Sequence, residues 1–327
     1  MLAGLTVGLA SLVIAACNGP SSTSSSVNAL PLQAGMPRVS PTPFTFNFLT
    51  VDDPASPTFT SILGIDDLGE IAGYDGSGTQ SDPSQGFTSL APYTKFRPLN
   101  YPEAVDTIAT SLNSSGNRIT AGYFLDSTKN HTTWGFLRQQ ALLSQYKDPK
   151  TPKGSNTVNE LLGVNDPGLA VGFYEDSEGH DVPYELASGA YHTLDPPGAV
   201  SAKATGINLR GDIAGAETTA NAVTEGWVLR SGLYSEFSYP GSTKTEATAL
   251  NYQQEVVGFY VDSAGTHGFI LTRPGSPTEQ YWQSIDEPNA AGKTVVTSIN
   301  VHDTISGWYV DAYGNTNGFV ATLSGSH

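Results

Sequence analysis

Five aspartates recur in short turns of this 327-residue sequence: Asp75, Asp126, Asp176, Asp262 and Asp311. Carboxylates collected on one face bind cations, cationic groups or the hydroxyls of a sugar. Glu217 stands near the equivalent place in a sixth copy of the surrounding pattern. Asp195 and Asp286 lie in the segments that join one copy to the next. Two of the turns read Asp176-Ser177-Glu178-Gly179 and Asp262-Ser263-Ala264-Gly265, with Gly available for positive φ. The plain expectation is that each Asp caps its own turn by accepting nearby N–H groups. The sharper one is an acidic rim, with these five aspartates as ligand-binding residues.

Other chemistries find less support. A calcium site needs six to eight converging oxygens, and the sequence has no D-x-D-x-D-G loop. His131, His180, His192, His267, His302 and His327 show no metal-ligand spacing; such scattered histidines read as surface or turn residues. There is no G-x-S-x-G elbow and no phosphate-binding loop. Glycoside or uronate chemistry needs two carboxylates, or a His/Tyr/Arg set, meeting in a groove. Asp and Tyr are abundant enough, and the long connection 150–160 is the only hint of an enlarged loop. No metal, no cofactor and no named catalytic residue is therefore expected.

The elements that position these residues come from a repeat. An Asn or Asp is followed, usually seven residues later, by Gly and an aromatic. The six copies are Asp66/Gly73-Tyr74, Asn113/Gly122-Tyr123, Asn165/Gly172-Phe173, Asn208/Gly215-Ala216, Asn251/Gly258-Phe259 and Asn300/Gly307-Trp308. The second copy has two extra residues near Ser114-Ser115, and the fourth lacks the aromatic. A second landmark follows: Gly86-Phe87, Gly135-Phe136, Pro183-Tyr184, Gly226-Trp227, Gly268-Phe269 and Gly318-Phe319. A third is a proline, at Pro54, Pro102, Pro149, Pro197, Pro240 and Pro288, spaced by 48, 47, 48, 43 and 48 residues.

Each unit holds four short β signals; in the fifth they cover 247–251, 255–260, 268–272 and 281–286. Four strands about every 47 residues, six times over, predict an all-β, six-bladed β-propeller. The last unit lacks its fourth strand, and residues 44–53 supply a matching segment. The expectation is a propeller closed by this N-terminal strand, with no open edge at the seam. The aromatics of the second landmark are expected in the core, and Gly73 with its equivalents is expected to let neighbouring units pack closely.

The units resemble bacterial extracellular HAF repeats. The resemblance is carried by Gly64-Ile65-Asp66-Asp67-Leu68-Gly69-Glu70-Ile71-Ala72-Gly73-Tyr74, by Gly206-Ile207-Asn208-Leu209-Arg210-Gly211-Asp212-Ile213-Ala214-Gly215, and by the run from Gly258-Phe259 through His267-Gly268-Phe269. It spans about 44–327 and implies an extracellular propeller without implying a reaction.

Residues 1–17 read as an address. Residues 2–16 form an apolar run too short for a transmembrane helix, which needs about 20 residues, and fit a secretory signal. The run ends Ile14-Ala15-Ala16-Cys17, which resembles a bacterial lipoprotein signal and implies lipidation of Cys17. The departure is at Met1-Leu2, which carries no Lys or Arg. Residues 18–43 include Ser21-Ser22-Thr23-Ser24-Ser25-Ser26, Pro31, Pro37 and Pro41, and read as a tether. The domain expected at 44–327 has no internal disulfide, because Cys17 is the only cysteine.

Composition agrees. Turn formers abound, with 35 Gly and 21 Pro, while charged residues make up 14%, which excludes charge-rich helical folds. A net charge of −16 repels phosphates and excludes nucleic acid as a partner. The expected protein is a monomeric propeller, secreted and lipid-anchored at the cell envelope. It acts as a binding or scaffold module whose partners are the membrane, through the anchor, and a polysaccharide or envelope protein. The alternative is an extracellular polysaccharide hydrolase or lyase.

Overall fold

The computed structural model describes residues 43–79, 81–128, 131–274 and 280–324. Cys17, the signal segment and nearly all of the tether lie outside the described residues. The described residues form strands, turns and no helix.

β1 (Phe46–Val51) comes first. The first unit holds β2 (Thr60–Ile65), β3 (Ile71–Asp75), β4 (Gln85–Ser89) and β5 (Arg97–Pro98); the second holds β6 (Ala104–Leu112), β7 (Ile119–Asp126), β8 (Thr133–Gln139) and β9 (Leu142–Tyr146). The third holds β10 (Asn159–Val164), β11 (Ala170–Glu175), β12 (Asp181–Ala187) and β13 (Ala190–Thr193). The fourth holds β14 (Ala199–Ile207), β15 (Ile213–Thr219), β16 (Thr224–Arg230) and β17 (Leu233–Phe237), and the fifth β18 (Lys244–Leu250), β19 (Val256–Val261), β20 (Thr266–Thr272) and β21 (Tyr281–Ile285). β22 (Thr294–Ile299), β23 (Ile305–Val310) and β24 (Thr316–Leu323) pair in order, and β1 lies antiparallel on β24, from Phe46 opposite Leu323 to Val51 opposite Gly318. Six antiparallel four-stranded groups result, with one parallel bridge, Thr224 to Lys244, joining the fourth and fifth.

Burial falls from the first strand of a unit to the last. β2 and β10 are buried along their whole length, whereas β9 and β13 have no buried residue. First strands sit against neighbouring units on both sides, so they lack the alternation of a half-exposed strand.

The first two landmarks turn out to be one device. Every first strand carries a bulge against its second strand, at Ile62/Gly64, Ala109/Ser111, Leu161/Gly163, Ala204/Gly206, Ala247/Ala249 and Val296/Ser298. The bulge pushes a carbonyl toward the glycine opposite. A Cβ on Gly73, Gly122, Gly172, Gly215, Gly258 or Gly307 would collide with the carbonyl of Ser61, Ile108, Glu160, Lys203, Glu246 or Val295. Each of these glycines also pairs in register with a third-strand aromatic: Phe87, Phe136, Tyr184, Trp227, Phe269 or Phe319. Those six rings are buried to 1% exposure or less. The glycines therefore serve the interior of their own sheet, which corrects the expectation that they set the approach between units. That task falls to third-strand glycines: a Cβ on Gly135 would meet Leu161 of the next unit, one on Gly268 would meet Val296, and one on Gly318 would meet Ile62.

Candidate functional site: the axial cavity and the turn faces

First strands of all six units line a central cavity of about 110 Å³. Its wall repeats a triplet: Thr110-Ser111-Leu112, Thr205-Gly206-Ile207, Thr248-Ala249-Leu250 and Thr297-Ser298-Ile299, with Leu63 and Leu162 in the Thr position of the first and third units. Each Thr hydroxyl donates to a first-strand carbonyl of the following unit: Thr110 to Leu161 at 3.0 Å, Thr205 to Ala247 at 2.9 Å, Thr248 to Val296 at 2.9 Å and Thr297 to Ile62 at 2.9 Å. These bonds satisfy buried polar groups that would otherwise cost stability.

The Asn landmark caps the same strands. Its Oδ1 accepts N–H groups of its own turn, as Asn208 does from Arg210 at 2.9 Å and Asp212 at 3.0 Å. Its Nδ2 donates to the matching backbone carbonyl of the next unit. Asn113 reaches Asn165 at 3.4 Å, Asn165 reaches Asn208 at 3.0 Å, Asn208 reaches Asn251 at 3.1 Å, Asn251 reaches Asn300 at 3.4 Å, and Asn300 reaches Asp66 at 2.9 Å. This ladder of five amides breaks at Asp66, whose carboxylate has no hydrogen to donate. There the link is Asp67 N–H to Ser114 Oγ at 2.9 Å. Burial pushes the Asp66 carboxyl up, against the N–H groups of Glu70 and Leu68 that favour its charge.

The five aspartates lie at or just beyond the ends of second strands, on the opposite face, and none of them lines the axial cavity. Asp176 accepts from Glu178 N at 2.8 Å and His180 N at 3.0 Å, and the His180 N–H leads in holding its carboxyl below the usual range. Asp262 accepts from Ala264 N at 2.7 Å and Gly265 N at 3.2 Å, and the Ala264 N–H leads in the same way. Asp311 accepts from Tyr313 N at 2.8 Å and Asn315 N at 2.9 Å. Asp126 accepts from Thr128 Oγ1 at 2.8 Å, Thr132 N at 3.3 Å and Trp134 Nε1 at 3.3 Å. All four cap their own turns.

Asp75 differs. Burial, then the neighbouring Asp53 carboxylate, pushes it up to about 7. Glu217 sits inside β15 opposite Glu225, not in a turn, and burial followed by the charges of Glu236 and Glu225 pushes it up to about 7. Two predicted residues do meet: His267 lies 2.8 Å from Asp286 and 3.4 Å from Asp262, under the ring of Tyr260. Asp195 stands apart, its N–H bound by Tyr234 at 3.0 Å. The connection 150–160 is held by Lys150 on Thr193 at 2.6 Å and Asp148 on Asn159 at 2.9 Å, away from the axis. Among the described residues, no group of three or more His, Cys, Asp or Glu is placed to hold a metal ion.

No protein-family model matches the chain, and no curated protein matches it. Solved structures do. TolB from Agrobacterium tumefaciens aligns with a TM-score of 0.52 at 9% identity, over 86% of this chain and 100% of that one. TolB from Acinetobacter baumannii gives 0.51 at 8%, over 82% of this chain and 66% of that one. The fucose-recognising lectin of Aleuria aurantia, described as a six-bladed β-propeller, gives 0.50 at 11%, over 80% and 90%. The likeness shows the fold: the chain is an all-β propeller.

Proposed function

We propose that this chain is a binding or scaffold module of the bacterial cell envelope. In this reading it is a secreted, monomeric lipoprotein anchored through Cys17 on the tether 18–43, whose six-bladed ring is closed by β1 and built of HAF-type repeats. One observation carries the binding role. The polar groups of the axial wall are repeat-equivalent, and the Thr hydroxyls and Asn amides already hydrogen-bond neighbouring units. Groups committed in this way hold a frame and leave the turns at its two faces to meet a partner. The ligand class that suits polar turns rimmed by Asp75, Asp126, Asp176, Asp262 and Asp311 is a polysaccharide; the Aleuria lectin, a structural neighbour, recognises fucose.

A glycoside hydrolase would need two carboxyls flanking a bond, about 5 to 9.5 Å apart. Glu255 and Asp303 instead hydrogen-bond each other directly. Screening the full chain on a glycan array, alongside turnover assays on the same polymers, tests the reading. Retention of a glycan without turnover is the expected result, and cleavage of any polymer overturns it. Fractionation of Cys17→Ser tests the anchor: release from the membrane fraction is expected, and unchanged fractionation refutes lipidation.

A further inference from the structure

We propose that a second cavity, between the first and second units, binds an acidic sugar through its carboxylate. It adjoins the axial cavity at Leu112 and Asn113 and does not depend on the reading above. It encloses about 210 Å³. A water molecule takes about 30 Å³ in the liquid, so the space suits a ring and not only a bare ion.

Three of the seven arginines in the sequence face this cavity: Arg97 from β5, Arg118 just before β7, and Arg138 from β8. Its acids are Asp66 and the buried Glu70. Glu70 engages two of the arginines, Arg97 at 3.5 Å and Arg118 at 4.0 Å. Arg138 donates Nε to the Gln140 carbonyl at 2.9 Å, and among the described residues it has no ion-pair partner. Three positive charges against two negative ones leave an excess of one in a protein whose net charge is −16. That excess suits a monoanion: a carboxylate matches the guanidinium fork, whereas a dianionic phosphate would leave the cavity net negative. Thr88, Thr120 and Gln140 also line it, with groups that fit sugar hydroxyls.

The repeat marks these residues as particular to this junction. At the position of Arg118 the other units carry Gly69, Gly168, Gly211, Gln254 and Asp303, all with positive φ like Arg118 itself. At the position of Arg138 they carry Ser89, Leu186, Leu229, Leu271 and Ala321. If the arginines only neutralised Glu70, one would serve, and Arg138 would have no reason to face the cavity. The break in the amide ladder falls at the same place, since Asp66 and Asn113 both line this cavity.

The test is isothermal titration calorimetry of the full chain with methyl β-glucuronide, methyl β-galacturonide, methyl β-glucoside, acetate and phosphate at matched ionic strength. One of the uronides should bind, with the neutral glucoside and acetate at least about tenfold weaker. Arg138→Gln and the exposed Arg118→Ser should each weaken the uronide about tenfold or more, the usual scale for a lost charge-assisted bond, with melting temperature retained. Absence of binding by both uronides, affinity unchanged in both variants, or acetate or phosphate binding as tightly as the uronide would each overturn the proposal. Arg118→Ser replaces a solvent-exposed side chain, so the test survives even if Arg138→Gln fails to fold.

Discussion

Asn300 donates its side-chain amide to the backbone carbonyl of Asp66 at 2.9 Å, across 234 positions of sequence. The same atoms join each unit to its successor from the second onward, so one residue type both finishes its own turn and couples two sheets. Only the junction from the first unit to the second lacks the bond.

The ladder should respond to single changes of charge. Asn208→Asp removes the donor to Asn251 and sets a carboxylate against Asp212, which now accepts from Asn208 at 3.1 Å. A loss of about 2 kcal/mol is expected, lowering Tm by about 5 °C. Asp66→Asn keeps the acceptor for Leu68 and Glu70 and supplies the missing donor, so Tm should rise. A fall in Tm for Asp66→Asn would mean that the ladder is not limiting there.

Gly258→Ala places a Cβ on the Glu246 carbonyl, and backbone cannot yield as a flexible side chain does. A cost of about 3 kcal/mol is expected, measured by urea denaturation. Gly116→Ala is the control, because a Cβ there meets nothing within 4 Å; its stability should be unchanged or slightly higher.

Removing residues 44–53 should strip β24 of one of its two partners and uncover Phe319, whose ring packs 5.4 Å from that of Phe48. Tm should fall by about 10 °C or more, and the bared edge should promote self-association, visible by size-exclusion chromatography. An unchanged melt would refute the closing role of β1.

Stability should fall as pH rises from about 4.5 to 7. Burial leads in pushing Glu255, Glu217 and Asp75 up to about 7 from ordinary values of 4.5, 4.5 and 3.8. Between those limits the folded chain holds protons that the unfolded chain has released, so raising the pH favours unfolding. Asp176 and Asp262, held below 3.8, act in the opposite sense and lose their contribution only in stronger acid. Thermal melts should give a higher Tm at pH 5.5 than at pH 8, and Glu255→Gln should flatten the difference. Equal values in the native chain would contradict the sign.

Spacing made the strands legible. The signals at 255–260 and 268–272 match β19 and β20 within two residues, because turns and alternating strands leave local marks. Asn113, Asn165, Asn208, Asn251 and Asn300 were visible as landmarks but not as donors, since the carbonyls they reach are 43 to 234 positions away. Gly73 was legible as a constraint and misread in cause, because the bulge that crowds it belongs to the strand before it. The arginine cavity was not legible at all. Glu70, Arg97, Arg118 and Arg138 come from separate turns and strands, and only the stacking of two units brings them to one space.

Ser324 N–H binds the Thr45 carbonyl at 2.7 Å, so the two ends of the described propeller touch. The ring can therefore be opened at a connection between units, away from the Asn turns that couple them. A circular permutant joined from 324 to 45 and opened at the exposed Gly198, between the third and fourth units, would keep every sheet pairing while moving the chain's first residue halfway around the circumference. By that route the place where any fused segment leaves the ring can be exchanged without altering the frame that carries it.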